Sequence, residues 1–225
     1  MSIFKIKNRK EVLAWSLYDF ANQPFTTIIV TFIYSAFFVK VIAVNEQEGT
    51  FLWTSAITIT ALVVSLLSPV LGALADKGGF RKFFLIFSTL VCSVFSILLY
   101  FPTEGEVYYA LTCFVIANIA FEMGSVFCNS YLPDLSNSIN IGRISGYSWG
   151  LGFVGGLLAL FFSLFLFDIN NPDEIRKINI LVGVWFLLFS IPTFLFVNDK
   201  KKEKLNRFHI NSSFDSLKDT FKSIA

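Results

Sequence analysis

Six apolar runs follow one another along the chain, and each is long enough to cross a membrane as a helix. They lie near residues 12–42, 51–75, 83–101, 107–132, 144–167 and 178–197. A helix needs about 20 mostly apolar residues to cross the hydrocarbon core, and in lipid the chain must satisfy its own backbone hydrogen bonds. The sequence therefore predicts an all-α integral membrane protein whose six transmembrane helices occupy residues 12–197.

The composition excludes a soluble globular domain. Apolar residues make up 55% of the 225 residues, charged residues only 15%, and the mean hydropathy is +0.66. The net charge is +2 and the charges cluster between the apolar runs, so nothing favours nucleic-acid binding. The basic start, residues 1–11, precedes a run far longer than a signal-peptide core, so we expect the first run to remain in the membrane.

Cysteine and histidine usage argues against a metal site. Cys92, Cys113 and Cys128 all fall inside apolar runs without CxxC spacing, and His209 is the single histidine of the chain. Unpaired cysteines of this kind are commonly small buried side chains. Because no nucleophile and base pair is recognisable either, we expect no metal, no cofactor and no enzymatic activity.

Lysine and arginine are distributed unevenly between alternate loops. If the six-helix division is right, 15 of the 18 basic residues lie on the side of both termini and 3 on the other. The larger group is Lys5, Lys7, Arg9, Lys10, Lys77, Arg81, Lys82, Arg143, Lys200, Lys201, Lys202, Lys204, Arg207, Lys218 and Lys222, and the smaller group is Lys40, Arg176 and Lys177. Because basic loops remain in the cytoplasm, the count predicts that both termini are cytoplasmic.

The polarity of the runs follows the same order twice. The first and fourth contain acids and amides, whereas the third and sixth contain no ionisable residue apart from Tyr100. Polar helices suggest a wet interior and wholly apolar ones suggest contact with lipid. This order predicts two three-helix repeats, an arrangement found in secondary transporters.

Polar side chains form a stripe on each of the two polar helices. They are Asp19, Asn22, Gln23 and Thr26 on the first helix, and Asn118, Glu122, Ser125 and Asn129 on the fourth. Both sets follow helical spacing, and Pro24 is expected to kink the first helix. A carboxylate in mid-membrane costs about 2.5–3.5 kcal/mol, which favours a functional cavity. The alternatives are that Asp19 is solvated near the interface and that Glu122 only ties helices together.

The fifth helix is rich in glycine. Gly142, Gly146 and Gly150 are spaced by four, as are Gly152 and Gly156, which predicts close packing against a neighbouring backbone. Beside this track, Tyr147 and Trp149 could form an aromatic wall of a ligand site. Arg143 is interpreted as a topological signal.

The last part of the chain, residues 198–225, is predicted to be a cytoplasmic linker. It begins with a basic run at 200–204, and then Phe214, Leu217, Phe221 and Ile224 follow at helical spacing. Charged residues lie between these apolar positions, which predicts a short amphipathic helix on the membrane surface.

The turn between the second and third helices contains an acid in an unfavourable place. Asp76 ends a helix whose carboxyl terminus already carries partial negative charge. We therefore expect its carboxylate to accept hydrogen bonds from Arg81 or from the first amides of another helix. Gly78 and Gly79 allow the backbone to turn tightly there.

Three further stretches and this turn carry a family resemblance. The pattern formed by Gly72, Asp76, Lys77, Gly79, Arg81 and Lys82 resembles the loop between helices two and three of the major facilitator superfamily. Residues 15–25, 131–135 and 142–152 are similar to the branch that contains the autophagy-related vacuolar amino-acid effluxers and their bacterial relatives. The chain thus resembles the amino-terminal half of such a transporter.

The resemblance implies a proton-linked or facilitated transporter of small solutes, with amino acids as candidates, that works by rocking two halves. The superfamily's unit has twelve helices, so the expected partner is a second six-helix half: a missing C-terminal part, a separate chain or a homodimer mate. Truncation is favoured, and the bacterial inner membrane is the expected location. The alternative is a non-transporting assembly or regulatory protein that associates through its glycine-rich fifth helix.

The resemblance and the polar stripes together assign roles to named residues. Asp19 and Glu122 are expected to bind a proton or a substrate amine, with Asn22, Gln23, Asn118 and Asn129 as hydrogen-bonding groups and Trp149 as an apolar wall. The turn is expected to act as a conformational latch formed by Gly72, Asp76, Gly79, Arg81 and Lys82.

Overall fold

The structure, a computed structural model, describes residues 9–199, without the side chains of residues 73, 74 and 76–78. The predicted surface helix and His209 therefore lie outside the described residues. Six helices of the described chain are long and apolar enough to cross a membrane, as predicted. They are span 1, Arg9–Ile42; span 2, Glu46–Gly78; span 3, Arg81–Leu98; span 4, Val107–Asn129; span 5, Ile141–Leu166; and span 6, Pro172–Phe196.

Two spans begin earlier than their apolar runs because polar residues cap them. The side chain of Asn45 accepts a hydrogen bond from the backbone amide of Glu48 at 2.9 Å, so span 2 begins at Glu46. Asn171 caps span 6 in the same way, and Pro172 occupies its first turn. Caps of this kind satisfy the free amides of the first turn. Hydropathy alone does not detect them, so the predicted starts were too late.

Span 1 changes its helical winding at Pro24. It is α-helical over Arg9–Pro24, π-helical over Phe25–Phe32, briefly α-helical over Tyr34–Phe37 and π-helical again over Phe38–Ile42. Proline has no amide hydrogen, so the carbonyl of Phe20 loses its partner within the helix. Trp185 of span 6 donates its Nε1 hydrogen to that carbonyl at 3.3 Å. A neighbouring span thus satisfies the broken backbone, as an apolar environment requires.

The packing of the spans repeats a single pattern. Span 1 packs mainly against spans 5 and 6, span 4 packs mainly against spans 2 and 3, and spans 3 and 6 pack against each other. Exchanging spans 1, 2 and 3 with spans 4, 5 and 6 leaves this set of pairs unchanged. The described chain is therefore built as two three-helix repeats, and it is one half of a major facilitator fold.

The loops gather at two ends of the bundle, in the alternation that the lysine and arginine count assumed. At one end, Arg81 pairs with Asp134 at 2.8 Å; we call this the basic end. At the opposite end, the amide of Gly105 donates to the carbonyl of Ile42 at 3.0 Å. Of the described cations, the basic end holds Arg9, Lys10, Arg81, Lys82 and Arg143, and the opposite end holds Lys40, Arg176 and Lys177.

A carboxylate shapes the turn before span 4 at the opposite end. Thr103 donates to Glu106 from its backbone amide and from its hydroxyl, each at 2.8 Å. These two hydrogen bonds stabilise the ionised form and lower the pKa of the Glu106 carboxyl from its usual value.

Exposure does not follow the polarity order of the spans. In the most apolar stretch of spans 3 and 6, 39% of the residues are buried, but only 11% are buried in span 2 and 28% in span 5. Spans 3 and 6 bury one face because they pack on each other, so their apolar composition serves protein contacts as well as lipid. The predicted contact of spans 3 and 6 with lipid stays a prediction; within the described chain, spans 2 and 5 are less covered than they are.

Cys92, Cys113 and Cys128 are buried, as their positions in apolar runs predicted.

Candidate functional site

The polar stripe of span 1 begins in regular α-helix and is interrupted by the change of winding. Asn22 is buried, whereas Asp19, Gln23 and Thr26 are half-buried. Asp19, Asn22 and Gln23 share a face because the helix is still α-helical there. Thr26 lies in the π-helical segment, so the spacing of seven residues used to place it on that face no longer applies.

Asp19 contacts span 5. The hydroxyl of Ser148 donates to its carboxylate at 2.5 Å, and a Cβ atom at Gly152 would lie 3.2 Å from the Cβ of Asp19. Ser148 and Gly152 are one helical turn apart, on the buried face of span 5. The sequence analysis did not identify Ser148; its spacing from Ile144 and Gly152, four residues on either side, was the available signal.

Span 4 remains α-helical, and its stripe runs along the edge of the packed bundle. Asn118 is buried, Ser125 is half-buried, and Glu122 and Asn129 are exposed. Glu122 lies 15 residues after Val107, about 22 Å along the helix at 1.5 Å per residue, which is well inside a core about 30 Å thick. Its carboxylate has no polar partner among the described residues, so it is an uncompensated acid at membrane depth.

Two buried amides are also without partners. Asn22 is 4% exposed and Asn118 is 5% exposed, yet neither side chain forms a hydrogen bond with another described residue. The amide atoms themselves keep some accessibility, because neither residue is among those with fully buried, unpaired polar atoms. A fully buried amide without a partner would cost about 1–3 kcal/mol. Both amides can therefore accept a bound water or solute.

The aromatic residues of span 5 point away from the bundle. Trp149 is 73% exposed and stacks on Phe153 at a centroid distance of 6.4 Å. Arg143 donates from Nε to the hydroxyl of Tyr147 at 3.0 Å and lies over its ring. The structure thus brings Asp19 and Gln23 to span 5, whereas Glu122, Asn129 and Trp149 lie on open surfaces of the described chain.

The glycines of span 5 have two different environments. A Cβ atom at Gly152 or Gly156 would contact span 1, and Gly156 would place it 2.6 Å from the hydroxyl oxygen of Thr27. By contrast, a Cβ atom at Gly142, Gly146 or Gly150 would meet nothing within 4 Å. The prediction of close packing thus describes Gly152 and Gly156 within this chain. Gly142, Gly146 and Gly150 have no such neighbour within the described chain, so close packing of another backbone at these three positions stays a prediction.

The turn at the basic end has the predicted backbone. Gly79 adopts a left-handed conformation with φ of 66°, which ends span 2 and brings the amide of Phe80 to within 3.2 Å of the carbonyl of Ala75. Glycine suits this conformation because it has no Cβ atom. The side chain of Asp76 lies outside the described part of the chain, and a Cβ atom at Gly72 would meet nothing within 4 Å.

The cations after this turn contact spans 4 and 6. Arg81 is 8% exposed, pairs with Asp134 and lies over the ring of Tyr131 at 5.6 Å. Lys82 donates from Nζ to the side chain of Asn198 at 2.8 Å and from its backbone amide to Asp199 at 3.2 Å. Asp199 also accepts from Tyr131 at 2.6 Å. The sequence analysis gave no role to Asp134 or Asp199, because each becomes a partner only when the span ends meet.

Comparisons with known proteins agree with this architecture. The family model described as "Vacuole effluxer Atg22 like" matches residues 38–142 and 137–225. The uncharacterized MFS-type transporter YxiO of Bacillus subtilis is 24% identical over 96% of this chain and 53% of its own length. No solved structure matches the chain significantly.

Two further relatives are transport or autophagy proteins by name. Autophagy-related protein 22 of Yarrowia lipolytica is 22% identical over 66% of this chain and 35% of its own length. The multi-drug resistance efflux pump PmrA of Streptococcus pneumoniae is 26% identical over 83% of this chain and 44% of its own length. The chain spans about half or less of the length of these curated relatives.

Proposed function

Because the chain belongs to the vacuole effluxer Atg22-like family of the major facilitator superfamily, we propose that it forms one six-helix half of a secondary transporter. In this proposal a small solute crosses the membrane by alternating access, as the half rocks against a second six-helix half. The relatives named as an MFS-type transporter and as an efflux pump support a transport role over an enzymatic one. Both termini are cytoplasmic in this proposal, and a bacterial inner membrane is the proposed location.

The observation that carries the proposal is the exposed carboxylate of Glu122. An acid facing lipid at this depth costs about 2.5–3.5 kcal/mol, whereas one facing a wet cavity avoids most of that cost. Spans 1 and 4 are the only described spans with acids far from both ends, at Asp19 and Glu122. We therefore place the solute cavity along these two spans.

The chemistry of this cavity favours a proton or a solute that bears an amine. Asp19 and Glu122 supply negative charge, and the described cations all lie near the ends of the spans. The partnerless amides of Asn22 and Asn118, together with Gln23 and Asn129, can bind the polar groups of an amino acid, which is the finer substrate proposal. Trp149, 73% exposed, supplies an apolar wall.

A second six-helix half is the proposed partner. The open glycine face of span 5, at Gly142, Gly146 and Gly150, allows a foreign helix backbone to approach closely. The second half is the missing C-terminal part of a longer protein, a separate chain or a second copy. The same open face favours the other candidate function, a non-transporting assembly or regulatory protein.

The turn formed by Gly72, Asp76, Gly79, Arg81 and Lys82 is the proposed latch. The pairing of Arg81 with Asp134 joins the start of span 3 to the segment that follows span 4, so the turn contacts both three-helix repeats. Asp76→Asn should then change the transport rate and leave solute affinity nearly unchanged. An equal loss of rate and affinity would contradict a latch.

The test of the proposed function is Glu122→Gln in proteoliposomes that contain both halves. Uptake is measured over a pH series, and Glu104→Gln, which removes an exposed carboxylate from a loop, is the matched control. We expect Glu122→Gln to lower uptake at least tenfold or to abolish its pH dependence, and Glu104→Gln to do neither. Uptake with unchanged rate and pH dependence in Glu122→Gln would refute the role of this carboxylate.

The solute can be sought by thermal shift. A ligand that binds only the folded state increases the free energy of unfolding, by about 2.7 kcal/mol when its concentration is 100 times its Kd. The unfolding temperature rises as a result. Amino acids and other small amines are the first compounds to test, with Glu122→Gln as the variant that should lose the shift. A shift that persists in this variant would place the binding site elsewhere.

A further inference from the structure

Ser148 uses its hydroxyl differently from Ser163, the other buried serine of span 5. A serine inside a helix commonly donates to the carbonyl one turn earlier in the same helix. Ser163 does so, toward the carbonyl of Ala159 at 2.8 Å. Ser148 instead donates to the carboxylate of Asp19 in span 1 at 2.5 Å. The hydroxyl of Ser148 thus contacts a neighbouring span and not the backbone of its own helix.

The close packing of spans 1 and 5 has its own cause in the glycines of span 5. A Cβ atom at Gly152 would lie 3.2 Å from the Cβ of Asp19, and one at Gly155 would overlap the backbone of Phe20. Small residues of this kind bring two helix backbones together by shape. The hydrogen bond from Ser148 adds something that packing does not supply, which is a direction for the carboxylate of Asp19.

Ser148 is the one donor that the described chain offers to Asp19. Ser148 is 1% exposed, so its hydroxyl is closed off from water, whereas Asp19 is half-buried. The hydrogen bond engages Oδ2 of the carboxylate, and Oδ1 has no partner among the described residues. A carboxylate can accept about four hydrogen bonds, so most of its accepting capacity remains for a ligand.

A positively charged donor fits this free oxygen. The described cations lie near the ends of the spans, so none of them neutralises Asp19 in the middle of the bundle. An ammonium group would supply both the charge and the hydrogen that the carboxylate lacks. Hydrogen bonds weaken steeply when they are not close to linear, so the direction in which Oδ1 points decides how well an ammonium group is bound.

We propose that Ser148 is a positioning residue of the solute site: its hydroxyl holds Oδ2 of Asp19 so that Oδ1 faces the ammonium group of the solute. Without this donor, the carboxylate rotates about χ2, a torsion with only a broad preference, and neither oxygen keeps a fixed direction. Ser148 itself does not contact the solute. The inference rests on the proposed function, because it takes Asp19 as a group that binds the amine of the solute.

The experiment is a binding titration followed by NMR spectroscopy. The whole chain, with its aspartates isotope-labelled at the carboxyl carbon, is placed in nanodiscs of phosphatidylcholine, and methylammonium is added as the amine probe. The signal of Asp19 is identified by its loss in Asp19→Asn. We expect methylammonium to shift this signal in the unmodified chain. In Ser148→Ala the dissociation constant should rise about tenfold, which corresponds to about 1.4 kcal/mol.

Two further variants separate positioning from a general loss of structure. Ser163→Ala removes the buried hydroxyl of span 5 that donates to its own backbone, so it should leave the dissociation constant unchanged. Ser148→Thr keeps a hydroxyl group at this position and should bind methylammonium as the unmodified chain does. Circular dichroism confirms that each variant is folded.

The outcomes distinguish this inference from the proposed function. An unchanged dissociation constant in Ser148→Ala, or an equal rise in Ser163→Ala, would overturn the positioning role and leave the amine-binding role of Asp19 intact. If methylammonium does not shift the signal of Asp19 in the unmodified chain, the amine-binding role that the proposed function gives to Asp19 fails together with the inference.

Discussion

The two faces of span 5 carry the same residue type at similar spacing and do different things. On the buried face, Gly155 approaches the backbone of Phe20 so closely that a Cβ atom there would overlap its carbonyl oxygen. On the open face, Gly146 and its neighbours one turn away meet nothing within 4 Å. One face is thus already a helix contact, and the other is a surface on which such a contact can form.

A pattern of small residues therefore indicates that a helix face can pack closely, but it does not identify the helix that packs there. The buried face contacts span 1 where Pro24 has freed the carbonyl of Phe20, so a close approach there is combined with a repaired hydrogen bond from Trp185. The open face has no such neighbour in the described chain. Substituting one residue on each face tests whether the contrast is real.

The largest effect is expected at the buried face. Gly155→Ala places a methyl group against the backbone of Phe20, which cannot move aside as a flexible side chain would. Overpacking of this kind costs about 1–3 kcal/mol and more where backbone must shift. We expect a loss of about 3 kcal/mol in the free energy of unfolding, measured by circular dichroism during titration with a denaturing detergent. Stability equal to that of the unmodified chain would show that spans 1 and 5 are farther apart.

An intermediate effect is expected at the hydrogen bond that accompanies this contact. Trp185→Phe keeps an aromatic ring beside Phe20 and Phe189 but removes the donor to the Phe20 carbonyl. An unsatisfied buried carbonyl costs about 1–3 kcal/mol, and we expect a loss of about 2 kcal/mol in the same assay. Trp149→Phe, on the open face, is the matched control and should change stability by less than about 0.5 kcal/mol. Equal losses in the two variants would remove the special role of Trp185.

The smallest effect, and one of opposite sign, is expected at the open face. Gly146→Ala meets no neighbour, so it should gain the helix propensity of alanine, about 0.5–1 kcal/mol, in the isolated six-helix chain. If a second half packs on this face, the bulkier Gly146→Val should weaken its association in a pull-down of the two halves. Destabilisation of the isolated chain by Gly146→Ala would show that this face is already covered.

Much of the candidate site was visible in the sequence because helical spacing is local. Asp19, Asn22 and Gln23 share a face as predicted, since span 1 is α-helical up to Pro24. The partners were not visible. Ser148 reaches Asp19 across 129 positions of the chain, and Tyr131 reaches Asp199 across 68. Sequence spacing holds no information on such pairs, because they depend on how whole spans cross.

The winding of span 1 shows a different limit. Pro24 predicted a disturbance, but two π-helical segments follow it, and they shift every later side chain relative to an α-helical wheel. Apart from Pro24, the residues of this region keep their backbone amide donors, so the loss of one donor at Pro24 does not by itself explain both π-helical segments. Tyr34, between the two π-helical segments, and Phe38, at the start of the second, pack against Trp53 of span 2, a contact that spacing along the sequence does not predict.

The number of spans, their alternation between two ends and the repeated order of polarity could all be predicted from the amino-acid sequence. These follow from hydropathy and from charge, which each residue carries wherever it lies. Only the packing of the bundle shows which spans contact each other, that spans 2 and 5 are less covered than spans 3 and 6, and that three of the five glycines of the track are open. The physical reason is that an apolar or small side chain suits both lipid and protein neighbours, so only the packing of the whole bundle distinguishes them.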